Sequence, residues 1–470
     1  MDTLRVQFGI ILAGCLVAST SFAGPFDLYG AGPRGSAMGA QSASSGDAWS
    51  IYYNVAGLAD STPGFSIGGF ATHNNAQILL KARPGGYEIP DIEGARYGTP
   101  SGEEPNARRD TDDIAPIYAL QFSGVTSLGI ERLRLGFIAH LPTTELLVLK
   151  THFADERERL SSNQLQFELI DGQSRRFAAE AGLAYRATDW LSVGIGGTFL
   201  TGANVGTDVF VRDPTDQSNT DINADVTTEN RWGLLAGVQV ALPLNLRLGL
   251  SYRGPVSFRI QGENEILVSG AAGTETQRID WTPKYSPSSF NLGASWEIGA
   301  FEIAADARWI RWSEYRDTQS QRPEFSDVLS SRLGLEYDTS DESRLRLGLG
   351  WDPSPVPDQT GRTNYVDNSR FLASIGSSHD LLVAGLGLEW SWFLQFQFLM
   401  ERETDKVALD THPECAPGVS EICDEVPDSA INPQTGLAYP EAQGLQTGNP
   451  GFPGYVSGGW IGALGMEVRF

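Results

Sequence analysis

The chain has 470 residues, of which 58 are Asp or Glu and 34 are Lys or Arg, so its formal charge at pH 7 is −24. This acidic balance argues against a nucleic-acid partner, because phosphate contacts need clustered Lys and Arg. A hydrophobic content of 41% excludes a disordered chain. After residue 25 no uncharged apolar run reaches the ~18 residues of a membrane-spanning helix. A β-barrel is not excluded.

Residues 1–23 are predicted to be a signal peptide that is removed. Residues 8–18 are apolar, and Ser21 and Ala23 supply the small side chains that a signal peptidase accepts before Gly24. A rival interpretation is a lipoprotein signal, because residues 12–15 resemble a lipoprotein box ending on Cys15. Both interpretations predict an exported protein.

The rest of the chain alternates apolar and polar residues with a period of two, as strands with one apolar face do. One example is the run from Phe301 to Trp309, in which the odd positions are apolar. Fourteen strands are predicted, near residues 64–80, 114–124, 130–149, 174–187, 190–211, 224–242, 245–267, 274–299, 301–315, 330–339, 343–356, 368–380, 382–402 and 455–470. Several are long enough to cross a membrane at a tilt of ~45°.

The connections between these strands alternate in length. Those after even-numbered strands are tight, such as 188–189 and 299–300, whereas those after odd-numbered strands are mostly long and polar, such as 81–113 and 403–454. This asymmetry is typical of an outer-membrane barrel with short periplasmic turns. The last strand ends on Phe470, which resembles the signal read by the barrel-assembly machinery of bacterial outer membranes. The sequence therefore predicts an all-β, fourteen-stranded antiparallel transmembrane β-barrel.

Several motifs together resemble one family. They are residues 29–40 and 47–58 near the start of the mature chain, 250–253 and 309–315 in the predicted strands, and the proline-rich run 351–358 followed by 367–370. In order and spacing they resemble the FadL/TodX family of outer-membrane transporters for long-chain fatty acids and aromatic hydrocarbons. The loop-six motif, which is the most specific piece, consists of Asp352, Pro353, Ser354, Pro355, Val356, Pro357, Asp358 and Arg370.

The resemblance implies a monomeric barrel, residues 63–470, plugged from the periplasmic side by an N-terminal hatch, residues 24–62. It implies passive transport of a hydrophobic small molecule, which is captured outside, held in a lumenal pocket and released sideways through the barrel wall. Lateral exit keeps an apolar solute out of water. Hydrating the solute would cost ~0.8 kcal/mol per CH₂. Outer-membrane lipid and lipopolysaccharide are the implied surroundings, and no cofactor is expected.

Two departures from the family pattern concern the hatch and the ligand. The hatch motif is Asn54, Val55, Ala56 and Gly57, with Val55 where the family has proline, so a rigid turn is in doubt. The predicted fifth strand contains no Lys or Arg over 191–211, although the fatty-acid transporters place basic residues there. Candidate carboxylate partners on other strands are Arg253, Arg308 and Arg346, if they face the lumen. Without such a partner, a neutral hydrocarbon is as plausible as a fatty acid.

Gly136 and Pro142 in the predicted third strand are candidates for the lateral gate. Pro142 cannot donate a ladder hydrogen bond, and Gly136 tolerates a kink. The alternative is that Pro142 only ends the strand near the rim.

Signals for catalysis or metal binding are weak. Ser66 lies in a nucleophile-elbow pattern, but no helix is predicted to follow it, and the five His are scattered without zinc-ligand spacing. Cys415 and Cys423 are a disulfide candidate, with two free thiols as the alternative. We therefore expect no metal and no enzymatic activity. The competing functions are a general aqueous porin, an outer-membrane lipid hydrolase and a structural barrel.

Overall fold

A computed structural model describes the chain in twelve segments. They are residues 26–44, 46–80, 116–143, 177–200, 204–210, 220–228, 231–268, 274–315, 324–358, 365–383, 385–405 and 454–470. The predicted signal peptide, Cys415 and Cys423 lie outside the described residues. Within the described part of the chain, no helix combines the length and the apolar character needed to cross a membrane.

Fourteen antiparallel strands form a closed barrel, which confirms the predicted fold class. In chain order they are β1 (Gly64–Leu80), β2 (Tyr118–Thr126), β3 (Leu133–Pro142), β4 (Ala178–Arg186), β5 (Leu191–Leu200), β8 (Arg231–Leu242), β9 (Leu246–Arg253), β12 (Ser289–Ile298), β13 (Phe301–Ile310), β14 (Val328–Ser340), β15 (Ser343–Asp352), β16 (Arg370–Val383), β17 (Leu386–Asp405) and β18 (Gly454–Arg469). β1 pairs with β18, and Phe470 N–H donates to the Phe65 carbonyl at 2.9 Å beside this seam.

The period-two pattern corresponds to the two faces of the barrel wall. On β15, Leu345, Leu347 and Leu349 are exposed on the outer face, whereas Arg346 between them is buried inside with 2% of its surface exposed. The outer face is therefore apolar, as a lipid-facing surface requires.

Four further strands form a second sheet, and the period-two pattern did not distinguish them from the barrel strands. They are β6 (Asn204–Phe210), β7 (Thr220–Thr228), β10 (Val256–Val268) and β11 (Thr274–Ser286), in the order β11, β10, β7, β6. The predicted strands 245–267 and 274–299 are each interrupted, the first at Gly254 and Pro255 and the second at Pro287. Because proline has no N–H for the ladder, these positions end the barrel strands and separate them from the second sheet.

Residues 26–60 fold into short helices inside the barrel. They are α1 (Phe26–Tyr29), α2 (Gly32–Met38), α3 (Ser50–Tyr53) and a 3-10 helix, Val55–Asp60. Helix α2 has proline in its first turn and ends at Gly39, whose φ of 73° is left-handed and whose N–H donates to the Gly35 carbonyl at 2.7 Å. Residues 26–44 and 46–60 lie within the lumen and are the described core of the predicted hatch, residues 24–62; we refer to them as the hatch.

Candidate functional site

A belt of glycines on the inner face of the barrel gives the hatch its seat. Nine strands each contribute one glycine at which an added Cβ would lie closer than 3.0 Å to a hatch atom: Gly136, Gly182, Gly194, Gly237, Gly249, Gly293, Gly334, Gly348 and Gly376. Any larger side chain at these positions would occupy the space of the hatch. The glycines therefore allow the hatch backbone to approach the wall directly.

Asn54 joins the hatch motif to the wall. Its Nδ2 donates to the Ser42 carbonyl at 2.8 Å and to the Val238 carbonyl of β8 at 3.0 Å, while its Oδ1 accepts from Ala56 N–H at 3.1 Å. Val55 is buried at the start of the 3-10 helix, and Gly57 N–H donates to the Asn54 carbonyl at 2.8 Å. The turn thus forms with valine in place of proline, because the Asn54 side chain holds it.

Ion pairs connect the hatch to the neighbouring strands β13 and β14. Arg34 donates from Nε to Glu336 at 3.0 Å and from Nη2 to Glu302 at 2.8 Å, and its side chain is only 13% exposed. On α1, Asp27 accepts from Arg308 Nη2 at 2.7 Å. Burial alone would raise the pKa of Asp27, but the charges of Arg308 and Arg253 outweigh it and hold the pKa below its usual value.

The three arginines predicted as ligand partners all face the lumen, and each already donates to a carboxylate of the chain. Arg253 pairs with Glu180, Arg308 with Asp27, and Arg346 with Glu336 at 2.5 Å. Arg253 also lies over the Tyr52 ring, at 4.4 Å from its centroid. Alternation put them on the polar face of their strands and left open whether that face is lumenal, and their pairing within the chain was not predicted.

A cavity of about 130 Å³ lies between the hatch and the loop-six segment. Its apolar lining comes from hatch and wall residues, namely Phe26, Leu28, Ala178, Val256, Ile310, Trp312, Val328 and Leu372. Its charged lining consists of Asp27, Glu180, Asp306, Asp352, Arg253, Arg308, Arg332 and Arg370. Such a cavity combines oily surface with fixed charges, which suits an amphiphilic ligand.

The loop-six motif borders this cavity and is held in place from two neighbouring elements. Pro353 and Pro355 line the cavity, and the Pro355 carbonyl accepts from Ser326 N–H at 3.0 Å. Arg402 of β17 donates to the Val356 carbonyl at 2.8 Å and to Asp358 at 3.2 Å. The motif therefore has a clear structural role in shaping the cavity roof.

Ser354 and Pro357, with Asp352 and Arg370, complete the motif. Ser354 N–H donates to Ser369 Oγ at 3.0 Å, and Asp352 accepts from Arg332 Nη2 at 2.7 Å. Arg370, the first residue of β16, lies 3.9 Å from the same Asp352 oxygen. The structure thus brings the two ends of the motif together across the loop.

The gate candidates occupy different surroundings. Gly136 is paired with Val125 of β2 and Gly182 of β4, so the wall is closed there, and a Cβ at Gly136 would meet Leu58 of the hatch at 2.9 Å. Pro142 is the last residue of β3 and pairs with Ala119 of β2. On its other side, the described part of β4 begins at Ala178, which pairs with His140, two residues before Pro142.

Ser66 does not sit in the setting that a nucleophile elbow requires. It lies within β1, and its hydroxyl is hydrogen-bonded to Ser123 Oγ at 2.6 Å. An elbow places the serine on a turn between a strand and a helix. The hydrolase interpretation therefore lacks its structural basis at this residue.

Comparison with known proteins matches the chain to one family. Residues 170–382 match the sequence profile described as outer membrane protein transport protein (OMPP1/FadL/TodX). The chain is 27% identical to the long-chain fatty acid transport protein of Escherichia coli K12 over 174 residues, 32% of this chain and 39% of the relative. It is 24% identical to alkane uptake protein A of Marinobacter nauticus over 182 residues, 34% of this chain and 40% of the relative.

The matched region spans about two fifths of the length of these relatives. Among solved structures, a Pseudomonas aeruginosa FadL homologue superposes with a TM-score of 0.55 at 14% identity, covering 96% of this chain and 98% of that one. At this identity the superposition shows the fold. Together the matches confirm the resemblance to the FadL/TodX family and the location of this barrel in the bacterial outer membrane.

Proposed function

We propose that the protein is a passive transporter that admits hydrophobic small molecules, long-chain fatty acids or hydrocarbons, across the outer membrane. The relatives that it resembles are named for fatty-acid transport and for alkane uptake. In this proposal the protein acts as a monomer among outer-membrane lipids and lipopolysaccharide, without catalysis.

The observation that carries the proposal is the fit of the hatch into the lumen. The hatch lies against nine strands through the glycine belt and is held by Asn54, Arg34 and Asp27. A hatch that packs this closely opposes a straight aqueous path to the periplasm, which a general porin needs. The cavity beyond the hatch, with its apolar wall, favours an oily cargo instead.

The exit that we propose is lateral, beside the end of β3. The cavity reaches Ala178, the first residue of β4, whose partner is His140. Among the described residues the β3–β4 ladder ends at this pair, and β3 continues to Pro142. A cargo leaving the cavity here would enter the bilayer without crossing water, which for a long alkyl chain avoids ~0.8 kcal/mol per CH₂.

The test of transport compares two solutes. Cells producing the full-length protein should take up radiolabelled oleate, whereas liposomes containing the purified protein should not swell in arabinose. Rapid sugar permeation with no gain in oleate uptake would contradict the proposal and favour the porin.

The lateral exit is tested by narrowing the end of the cavity. Ala178→Leu should lower oleate uptake, because Ala178 is 3% exposed and lines the cavity. Ala179→Leu, on the opposite face of the same strand, is the matched control. Equal uptake by the two variants would contradict the exit at this position.

A further inference from the structure

Three polar side chains form a hydrogen-bonded network on the outer, lipid-facing wall of the barrel. Ser343 of β15 and His379 of β16 are direct partners across the ladder, and Ser377 pairs with Leu345, whose side chain is exposed on the outer face. His379 Nδ1 lies 3.0 Å from Ser343 Oγ, and His379 Nε2 lies 3.0 Å from Ser377 Oγ. Polar groups on a lipid-facing surface cost free energy, so residues joined in this way indicate a function.

The hydrogen bonds of Ser377 fix the direction of this network. Its hydroxyl donates to the Arg344 carbonyl at 2.8 Å, and a hydroxyl has only one proton to donate. Ser377 Oγ therefore accepts from His379 Nε2–H, which leaves Nδ1 of the neutral ring as an acceptor. Ser343 Oγ–H then donates to this Nδ1. A serine that donates to an oriented imidazole nitrogen has the arrangement of an activated nucleophile.

The network lies where the polar surface of the membrane meets its hydrocarbon core. Residues 341–342, in the tight turn before Ser343, are acidic and exposed, as a water-facing turn is. Leu345, the next residue on the same face of β15, is apolar and 37% exposed. Trp390 stacks on His379 with 5.7 Å between the ring centroids, and tryptophan is enriched at membrane interfaces. The acyl ester bonds of phospholipids lie at this depth, so a lipid can bring its ester carbonyl to Ser343.

We propose that Ser343 and His379 are the catalytic residues of a second site, which hydrolyses acyl esters of phospholipids in the periplasmic leaflet. Ser377 is a positioning residue of this site, because it holds the imidazole through Nε2. The transport proposed above needs no catalysis and uses the lumenal face of the wall, whereas this site faces the lipid. The two activities are therefore independent of each other.

The reaction is an acyl transfer followed by hydrolysis. In the first step Ser343 Oγ bonds to the ester carbonyl carbon, while its proton passes to His379 Nδ1. The bond from that carbon to the glycerol oxygen then breaks, and the proton passes from Nδ1 to this oxygen, which leaves as the hydroxyl of a lysophospholipid. Water attacks the acyl-serine by the same route and releases the fatty acid, and its proton returns through His379 to Ser343. One water is consumed for each ester bond cleaved.

The test uses the full-length protein in vesicles of dioleoylphosphatidylcholine and measures released oleate by mass spectrometry. Ser343→Ala and His379→Asn should each lower the rate at least about a hundredfold, which is the scale of nucleophilic and general-base catalysis. Ser377→Ala should lower kcat and leave KM unchanged, because the imidazole loses its orientation and the lipid keeps its contacts. Ser377→Thr should restore part of kcat, since threonine keeps the hydroxyl.

Ser331→Ala is the matched control, because Ser331 is exposed on the same outer face of the neighbouring strand β14, opposite Trp351. This variant should release oleate at the unmodified rate. A long-chain fluorophosphonate gives a second readout, since peptide mapping should find its adduct on Ser343. Heat-modifiable mobility on gels checks that each variant is folded. The proposal is overturned if the unmodified protein releases no oleate, if Ser343→Ala releases it at the same rate, or if the adduct forms on another serine.

Discussion

At the scale of single residues, Val55 shows how one substitution in a motif is accommodated. Asn54 has extended backbone angles, φ −159° and ψ 106°, and its side chain accepts the Ala56 N–H that begins the 3-10 helix. The residue that precedes a proline favours extended backbone angles, as Asn54 has. Val55 is the first residue of the 3-10 helix, a position at which proline is tolerated. The side chain of Asn54 therefore performs the positioning that a proline ring would otherwise supply.

Val55→Pro is accordingly expected to leave the hatch intact, with a change in its local opening free energy below about 1 kcal/mol. Asn54→Ala removes three hydrogen bonds and should lower this free energy by about 2–4 kcal/mol. Hydrogen exchange of the hatch peptides measures both effects. If the hatch peptides exchange as fast in Val55→Pro as in Asn54→Ala, the valine is required to hold the hatch turn.

Asp367 in loop six predicts a pH dependence of stability. Burial raises its pKa to about 6, against the opposing effect of Arg370, Ser354 and Arg402. Because the folded-state pKa exceeds the unfolded value, this residue contributes stability that is full below about pH 4 and is lost as the pH rises through about 6.

Asp367→Asn removes this titration. We expect the variant to lose less stability than the unmodified protein between pH 4 and 7, by on the order of 1–3 kcal/mol. Thermal unfolding in detergent at several pH values gives the comparison. Parallel pH profiles for the two proteins would contradict the assignment to Asp367.

At the scale of elements, the glycine belt makes hatch and wall depend on each other. At Gly194 an added Cβ would lie 2.6 Å from the backbone N of Ala56, which cannot move without shifting the 3-10 helix. Gly194→Ala should therefore destabilise the hatch by about 1–3 kcal/mol, as overpacking does elsewhere.

Gly69→Ala is the control for this prediction, because an added Cβ there meets nothing within 4 Å. Limited proteolysis of the folded barrel reports whether the hatch has loosened. The prediction is wrong if the hatch is equally resistant to proteolysis in Gly194→Ala and Gly69→Ala.

The elements that the sequence predicted well are those governed by alternation. Each of the fourteen barrel strands overlaps a predicted strand, because an apolar outer face and a polar inner face leave a period of two in the sequence. Four of the predicted strands, 190–211, 224–242, 245–267 and 274–299, also include residues of the second sheet. The barrel strands break at Pro255 and Pro287. Both prolines can be seen in the sequence, but apolar and polar residues alternate on either side of them, so each run was predicted as one continuous strand. Alternation also put Arg253, Arg308 and Arg346 on the polar face of their strands, which the structure shows to be the lumenal face. It carries no information on distant partners. Closure of the barrel brings Glu180 near Arg253, and insertion of the hatch brings Asp27 near Arg308.

At the scale of the whole molecule, we expect the hatch to open while the barrel stays closed. The barrel is stabilised by a closed ladder of hydrogen bonds, whereas the hatch is held by side-chain contacts across the lumen. Units held in these different ways open independently. A variant that weakens only the side-chain contacts should therefore loosen the hatch and leave the barrel strands protected.

Arg34 allows this separation to be tested, because it binds Glu302 and Glu336 on two different strands. Arg34→Ala leaves Glu302 without this cation in the lumen, and removing one partner of a buried pair costs about 3 kcal/mol or more. Hydrogen exchange should rise in the hatch peptides and stay unchanged in β13 and β14. Adding Glu302→Gln should restore part of the protection, because it removes the carboxylate charge that Arg34 balanced. If exchange rises equally in hatch and strands, the two units unfold together, and the hatch cannot be treated as a separately held plug.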